Sequence, residues 1–486
     1  MSVTVALLGI TVFSFCLGLG RDLLLAYRFG GSAASDVFFL ALLLPMVVES
    51  LLGFALRDAL IREEQRSEGA GRRSGLPKVV TVLAAGIVLL FALPARAWLE
   101  ALAPGWPRET VDAAVGPYVI GVLLVAVILP NYYLSGLYGA RHSLILPGLR
   151  SVLFNLSVIA VLLMADANPT RLVAGFAAGY LLHTLLLWWP RRSQEALAIP
   201  ATRNSDRQAS AVAGDRDSMS RTMLAVFAFA AAGQAMIVAE RWFASFLPQG
   251  ALSHLSYAYR TATIPVVMLS LTLIAVVYPI VVSRKLAGDE PLLARTIAAS
   301  LHALCGLLAA ASACLIALPG EITATLFGRG AFDERAIEAT ASAIGAYAVG
   351  LSAIGIGLFA SRCLIALGRG RAVIVASLAA TVVTIVLDAL MVGPLGARGL
   401  ALAMSAGVWV QALIMLAAVR RAAPSGSAPL ALLGWLPIGA LCYLVLVAMP
   451  FEGVRAVVIA PPLALLVAAV AGQAVGFKPL DVRRMM

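Results

Sequence analysis

Charged residues are scarce in this chain, which excludes an ordinary water-soluble protein. Only 13% of the 486 residues are charged and 61% are hydrophobic, with a mean hydropathy of +0.94. A soluble domain carries about a quarter of its residues as charges, because its surface must be hydrated. Apolar runs recur instead, at the roughly 20-residue length that a helix needs to cross a hydrocarbon core of ~30 Å.

The residues of metal, redox and nucleotide chemistry are also sparse. The five cysteines are scattered without a CxxC pair, and the four histidines stand alone, so neither a metal site nor a disulfide framework is indicated. No GxxxxGK[ST] phosphate loop occurs. The first charged residue is Arg21, so the first apolar run reads as a retained helix rather than a cleaved signal peptide. We therefore expect no enzyme, cofactor or resident metal, and leave a coupling ion or the membrane potential open.

The apolar runs predict an all-α polytopic membrane protein with about fourteen transmembrane helices. The predicted spans are 3–20, 37–56, 79–96, 117–137, 149–165, 171–189, 222–239, 262–282, 298–318, 341–361, 372–392, 398–418, 430–449 and 455–475.

The basic residues predict the orientation of these spans. A net charge of +11 could suggest nucleic-acid binding, but the basic residues fall in short loops between apolar runs, so no nucleic-acid partner is expected. With the N-terminus inside, 25 of the 36 Lys and Arg lie on the cytoplasmic side. The positive-inside rule therefore places both termini in the cytoplasm, in a bacterial inner membrane.

Matched residues indicate an internal duplication. Arg21, Gly30 and Pro45 recur with the same spacings as Arg241, Gly250 and Pro265, and a second set matches around helices 4 and 10 (Tyr118, Gly121 and Gly139 with Tyr347, Gly350 and Gly368). Six helices separate the equivalents, so the two repeats run parallel and are related by an axis along the membrane normal. Two such lobes leave a cleft that rocking would expose to each side in turn.

The duplication predicts four parts of the chain. They are an N-lobe of helices 1–6 (1–190), a polar cytoplasmic linker (191–221), a C-lobe of helices 7–12 (222–421), and helices 13–14 with a tail (422–486).

Ionisable residues lie within or beside the predicted spans, where they are costly and commonly face a cavity. Arginine suits a diphosphate, because its planar fork donates two hydrogen bonds and stays charged. Each of these residues could instead belong to a local ion pair, such as Arg21 with Asp22 or Asp36. The predicted substrate-binding residues are Arg21, Arg28, Asp36, Arg241 and Arg260, and the predicted gating or coupling residues are Glu49, Glu240 and Asp388.

Several segments, in order along most of the chain, carry a family resemblance. They are Gly20-Arg-Asp22 through Phe29-Gly30 to Asp36-Val-Phe-Phe39 and Pro45; Phe243-Ala-Ser-Phe-Leu247 with Gly250, Tyr257-Ala-Tyr-Arg260 and Pro265; Leu326-Phe-Gly-Arg-Gly-Ala-Phe-Asp333 with Thr340 and Tyr347-Ala-Val-Gly350; and Gly393-Pro-Leu-Gly-Ala-Arg-Gly-Leu400. With these segments the chain resembles the lipid II flippase family (MurJ, also called MviN) of the multidrug/oligosaccharidyl-lipid/polysaccharide (MOP) exporter superfamily.

The resemblance implies a MATE-like fold of two six-helix repeats plus two further helices, and a flippase for an undecaprenyl-pyrophosphate-linked glycan in peptidoglycan synthesis. Its headgroup would sit in the cleft and its tail in a groove formed with helices 13 and 14. Arg21, Asp36 and Arg260 match the family's cleft residues. Phe15 and Glu49 replace arginines, and Thr263 replaces an acid, so the glycan could differ from lipid II.

Three alternatives stay open at this point. One is an exopolysaccharide or O-unit (Wzx-type) flippase of the same fold. Another is a cation-coupled multidrug exporter, whose cleft should be acidic or apolar. The last is a membrane scaffold without transport. The expected partners are the lipid-linked glycan and membrane lipids, with the chain acting as a monomer.

Overall fold

The described part of the chain is almost entirely helical, as the apolar runs predict. The computed structural model describes residues 3–57, 59–60, 76–140, 144–189, 216–423, 435–449 and 453–474. Most of the predicted linker, 191–221, lies outside these residues. Within them, nine helices are long and apolar enough to span a membrane, or up to eleven if two bent pairs each count as one span. The all-helical polytopic fold is confirmed, while the count of fourteen is not fixed by these helices.

The helices of the first half overlap the predicted spans, although several are longer. They are α1 (Val3–Phe29), α2 (Ala33–Ala41), α3 (Leu43–Val48), α4 (Leu76–Ala92), α5 (Ala95–Leu102), α6 (Arg108–Ala140), α7 (Ile145–Gly148), α8 (Arg150–Leu162) and α9 (Pro169–Trp188). A π-helical turn, Glu49–Gly53, continues α3, so that Ala33–Arg57 forms one candidate span.

The helices of the second half include one long broken element. They are α10 (Arg216–Ala244), α11 (Ala251–Ala287), α12 (Glu290–Ala317), α13 (Pro319–Phe327), α14 (Glu334–Ala348), α15 (Leu351–Ala366), α16 (Gly370–Ala422), α17 (Trp435–Val447) and α18 (Val454–Ala474). Within α16 the backbone breaks at Gly396, with φ 56° and ψ −138°. The predicted spans 372–392 and 398–418 lie on either side of this break.

Polar caps fix where several helices begin. The side chains of Asn168, Asp289 and Asp333 accept hydrogen bonds from the backbone N–H groups of Arg171, Leu292 and Ala336, at 3.0, 3.0 and 2.8 Å. Each bond satisfies a backbone donor that has no partner inside its helix. These caps explain why short polar loops suffice to stop one apolar helix and start the next.

Contacts divide the chain into two compact units. The first comprises Met1–Ala213 with the short segments Pro248–Ser253 and Gly330–Phe332, and the second comprises Gly214–Leu247, His254–Arg329 and Asp333–Met486. In the first unit α9 packs against α6 and α8, and α1 packs against α8. In the second, α16 packs against α10 and α15, while α17 and α18 pack against α12.

Apolar side chains cover much of the outer surface of both units. Leu93 is 79% exposed, Val82 71% and Leu390 66%. Exposed apolar surface on this scale is unfavourable in water and is expected where lipid is the solvent. The molecule is therefore a multi-pass membrane protein.

The repeat-matched residues have similar roles in their own units. Gly30 follows α1 with φ 57° and Gly250 precedes α11 with φ 93°, a conformation that favours glycine. Tyr118 and Tyr347 are both buried. A side chain on Gly121 would meet the carbonyl oxygen of Ala41 at 2.2 Å, so α6 and α2 touch through this glycine. These similarities support a duplication, which stays a prediction.

Candidate functional site

Arg21 lies in α1 with its side chain buried within the first unit. Its Nε and Nη2 donate to Asp22 Oδ1 at 3.1 and 2.8 Å. Its Nη1 donates to Asn155 Oδ1 at 3.0 Å, and Asn155 in turn donates to the backbone carbonyl of Ser14 at 3.3 Å. The local ion pair with Asp22 is thus present, and Asn155 on α8 fixes its orientation.

Arg28 lies about two turns beyond Arg21 on α1 and is exposed. Its Nε donates to the carbonyl of Leu162 at 3.0 Å, and its Nη2 to the carbonyl of Met164 at 2.5 Å. Leu162 is the last residue of α8 and Met164 lies just beyond it, where backbone acceptors have no partner within the helix. Arg28 therefore acts as a helix C-cap in this conformation.

Asp36 lies near the start of α2 and caps a second helix through space. Its Oδ2 accepts from the backbone N–H of Gly250, and its Oδ1 from that of Ser253, both at 2.7 Å. Both residues belong to the segment Pro248–Ser253 of the first unit, at the start of α11. An ionised carboxylate at this position is also stabilised by the positive end of the α11 helix dipole.

The segment Gly330–Phe332 makes the neighbouring contact in this unit. The backbone N–H of Ala331 donates to the carbonyl of Tyr27 at 2.8 Å. A side chain on Gly30 would lie 2.2 Å from the carbonyl oxygen of Ala331, and one on Gly330 2.3 Å from that of Tyr27. The two backbones can approach this closely only because both residues are glycine.

Glu49 lies at the first position of the π-helical turn and is part of a polar cluster. Its two oxygens accept from the hydroxyls of Tyr132 and Tyr180, both at 2.7 Å. Arg150 Nη2 lies 3.6 Å from Glu49 Oε1, and its guanidinium stacks over the Tyr132 ring at 4.3 Å. The predicted coupling residue Glu49 is therefore partly neutralised within its own unit.

In the second unit, Glu240 and Arg241 lie near the end of α10, and both are buried. Arg241 Nη2 lies 4.0 Å from Glu240 Oε2, and the hydroxyl of Tyr347 donates to Glu240 Oε1. The Tyr259 and Tyr347 rings pack edge to face at 5.4 Å. Arg260, the next residue on α11, is half-buried.

Asp388 lies on α16 with its carboxylate fully buried. Neither of its oxygens has a hydrogen-bond partner among the described residues, and the same holds for Glu240 Oε2 and Thr384 Oγ1. Asp388 and Glu240 are close enough to interact electrostatically, and Thr384 lies one turn before Asp388 on the same helix. Buried oxygens without a hydrogen bond cost free energy, and a coupling role for Glu240 and Asp388 stays a prediction.

The predicted site residues thus fall into separate groups. Arg21, Arg28, Asp36 and Glu49 belong to the first unit, and Glu240, Arg241, Arg260 and Asp388 to the second. A shared pocket for Arg21 and Arg260 stays a prediction. No group of three or more His, Cys, Asp or Glu side chains that could hold a metal occurs in the part of the chain that the structure describes.

Sequence reasoning missed several polar residues of these groups. Arg150 lies at the start of the predicted span 149–165 but is not among the predicted site residues, although it begins α8 and reaches Glu49. Asn155, Tyr132 and Tyr180 lie on apolar runs with no motif around them. Thr384 precedes Asp388 by four residues, and this helical spacing is the one signal that could have drawn attention to it.

Solved structures share this fold over nearly the whole chain. A structure described as lipid II flippase MurJ in an inward closed conformation aligns with a TM-score of 0.77 at 19% identity, covering 97% of this chain and 99% of that one. An inward-facing multidrug MATE transporter of the MOP superfamily aligns with a TM-score of 0.65 at 14% identity, covering 90% and 99%. The fold is therefore that of the MOP-type transporters.

Sequence relatives narrow this class to one family. The family model described as lipid II flippase MurJ matches residues 25–459. The lipid II flippase MurJ of Burkholderia cenocepacia is 24% identical over 71% of this chain and 69% of its own length. The probable lipid II flippase MurJ of Thermotoga maritima is 24% identical over 81% and 80%. The chain belongs to the lipid II flippase MurJ family, as the sequence resemblance predicts.

Proposed function

We propose that this protein flips lipid II, an undecaprenyl-pyrophosphate-linked glycan, from the cytoplasmic to the periplasmic leaflet for peptidoglycan synthesis. The match of the family model to residues 25–459 carries this proposal. The names of the curated relatives favour lipid II over an exopolysaccharide or O-unit cargo. The likeness to a multidrug exporter extends to the fold alone. The protein acts as a transporter and not as an enzyme.

Arg260 is the residue that we assign to the diphosphate in the second unit. It is half-buried on α11, where a guanidinium can meet a headgroup and still be sheltered from lipid. Arg241 adds a second positive charge in the same unit, but its guanidinium is paired with Glu240. Arg21 contributes its positive charge from the first unit, where three of its N–H groups point to Asp22 and Asn155.

Asp36 is assigned to a latch on the periplasmic side. By the predicted orientation, the end of α1, the start of α2 and the start of α11 all lie there. The carboxylate of Asp36 holds the backbone N–H groups of Gly250 and Ser253. α11 continues from His254 into the second unit and carries Arg260. Release of this cap would therefore free the start of the helix that carries Arg260.

Glu240 and Asp388 are assigned to coupling. Two interacting buried carboxylates, three of whose oxygens accept no hydrogen bond within the described residues, bind a proton or a small cation more readily than separate surface carboxylates do. Occupancy of this pair would follow the ion gradient. The membrane potential supplies ~2.3 kcal/mol per charge per 100 mV and can bias the same step.

A cell rescue experiment tests the proposal. The gene is expressed in bacteria whose own lipid II flippase is depleted, and survival and secreted polymers are measured. Rescue of growth is expected, and it should be lost with Arg260→Gln but retained with Arg335→Gln, a change at an exposed arginine. Failure to rescue with a membrane-inserted protein, together with restored export of an exopolysaccharide in a strain lacking that flippase, would replace lipid II by the other cargo.

A further inference from the structure

A second group of cations in the first unit surrounds Glu49. Arg150 lies 3.6 Å from Glu49 and over the Tyr132 ring. Arg57 lies over the Phe54 ring, 5.8 Å from its centroid, and Phe54 packs edge-on against Tyr132, with centroids 5.3 Å apart. The guanidinium groups of Arg150 and Arg57, the carboxylate of Glu49 and the rings of Phe54 and Tyr132 form this group, which we call the Glu49 cluster.

The backbone around the Glu49 cluster is specially shaped. Glu49 and Gly53 bound the π-helical turn, a feature that often accompanies functional sites. A side chain on Gly53 would lie 2.9 Å from the Tyr132 ring, so the turn places Tyr132 directly against this glycine. The turn therefore aims Glu49 at the two tyrosine hydroxyls.

The start of α8, which carries Arg150, is held by a separate hydrogen-bonded chain. Asn131 Nδ2 lies 2.8 Å from His183 Nδ1, and His183 Nε2 lies 3.0 Å from the carbonyl oxygen of Leu146. Leu146 belongs to α7, immediately before Arg150. With Nδ1 accepting from Asn131, Nε2 carries the proton that it donates to Leu146.

Arg150 differs from the other arginines of the unit in how its donors are used. Arg21 donates to Asp22 and Asn155, and Arg28 to two carbonyls. In contrast, Arg150 Nε is buried without a hydrogen-bond partner among the described residues. The Arg150 side chain is 14% exposed and that of Glu49 19%, so an edge of the pair remains within reach of a ligand.

We propose that the Glu49 cluster is an entry site for a phosphate-bearing lipid headgroup, in which Arg150 binds the phosphate and Glu49 is its built-in counter-charge. This inference rests on the proposed function and adds to it a loading site distinct from Arg260. Under the predicted orientation the cluster lies toward the cytoplasmic end of its helices, where a lipid-linked diphosphate would arrive.

The negative charge of Glu49 would help the site to release the bound phosphate. Glu49 is held by the tyrosine hydroxyls at 2.7 Å, so it competes with the phosphate for Arg150 without covering the guanidinium. Competition lowers affinity, and a transport site must let its cargo move on. The chemistry is that of a phosphate or diphosphate group, which could belong to the polyprenyl cargo, to a bulk phospholipid or to a soluble ion.

A binding experiment separates these sources. Full-length protein in detergent is titrated with radiolabelled undecaprenyl diphosphate, in competition with inorganic pyrophosphate or phosphatidylglycerol. Arg150→Gln should weaken binding about tenfold or more, since charge-assisted hydrogen bonds are worth ~1.5–3 kcal/mol. Glu49→Gln should tighten it, because the tyrosines can still donate to the amide oxygen while the competing charge is lost. Arg96→Gln, a change at an exposed arginine paired with Glu100 and Asp112, is the matched control.

Each outcome decides. Unchanged binding in Arg150→Gln would overturn the entry site, and lipid II flipping by the same preparation would leave the proposed function standing. Weakening by Glu49→Gln equal to that by Arg150→Gln would overturn it too, since the cluster would then serve packing alone. Equal competition by phosphatidylglycerol would overturn a cargo site in favour of a bulk-lipid site. If Arg150→Gln fails to fold, the same binding measurement is made on Arg150→Lys, which keeps the charge. This variant should bind undecaprenyl diphosphate more weakly than the wild type, and equal binding would overturn the entry site.

Discussion

The carboxylate of Asp36 accepts a 2.7 Å hydrogen bond from the backbone N–H of Gly250. The two residues are 214 positions apart in the chain, yet one forms the start of α2 and the other the entry to α11. Asp36 thus joins the start of α2 to the segment Pro248–Ser253 within the first unit. The latch assigned to the periplasmic side depends on this bond and on its twin to Ser253.

Asp36→Asn should weaken the latch. The amide keeps one acceptor oxygen and loses the charge that favours the helix N-terminus, so we expect the free energy of unfolding to fall by about 1–3 kcal/mol. Thermal unfolding of the purified protein measures this. Asp166→Asn, at an exposed acid paired with Arg171, should change it by less than about 0.5 kcal/mol. Equal stabilities for the two variants would contradict the latch.

Gly30→Ala should disrupt the contact between the end of α1 and Ala331. The new Cβ would lie 2.2 Å from the Ala331 carbonyl oxygen, and the φ of 57° adds ~1–2 kcal/mol for any other residue. Gly288→Ala is the matched control, because Gly288 has a φ of +73° and open space around it. The two variants share the backbone cost, so a larger loss of thermal stability in Gly30→Ala reports the contact itself. A loss no greater than in the control would show that the segment Gly330–Phe332 is not held there.

Gly53→Ala should displace Tyr132 and loosen the Glu49 cluster. The added methyl group would meet the Tyr132 ring at 2.9 Å, which forces the ring or the π-helical turn to move. We expect reduced stability, by about 1–3 kcal/mol as for other overpacked sites. Gly86→Ala, in α4 with nothing within 4 Å, should instead be neutral or stabilising, because alanine favours helix. Opposite signs in thermal unfolding are expected, and matching signs would refute the close packing.

Asp388→Asn should separate stability from transport. A buried carboxylate without hydrogen-bond partners among the described residues is costly, so removing its charge should leave thermal stability unchanged or raise it. Transport should fall about tenfold or more if the Glu240–Asp388 pair couples it, by analogy with other intramembrane carboxylates. Glu338→Gln, at an exposed acid of α14, is the control. Full transport in Asp388→Asn would remove the coupling role.

The helices were the part that local sequence could predict. The span 171–189 matches α9 (Pro169–Trp188) because Asn168 and Pro169 form a local start signal and the apolar run supplies its length. The break between the spans 372–392 and 398–418 follows from glycine and proline residues near Gly396. α6 begins earlier than predicted, at Arg108, because its first turns are polar and project beyond the apolar run.

Partners distant in sequence were beyond the same reasoning. Asp22 was a candidate partner of Arg21 because it is adjacent, and the pair is present. Asn155, 134 residues away, could not be identified as the third member. Likewise the partners of Glu49 could not be identified, because the residues that hold it come from α6, α8 and α9 and meet only after packing.

Lipid II translocation in reconstituted vesicles tests the central claim most directly. Fluorescent lipid II is placed in both leaflets, and the protein-dependent change in its accessibility to an external quencher is followed under a membrane potential. We expect the full-length protein to move lipid II faster than protein-free vesicles do, and Arg260→Gln to lose most of this rate while Arg335→Gln keeps it. Translocation no faster than in protein-free vesicles, or an undiminished rate in Arg260→Gln, would contradict a flippase that holds the diphosphate through Arg260.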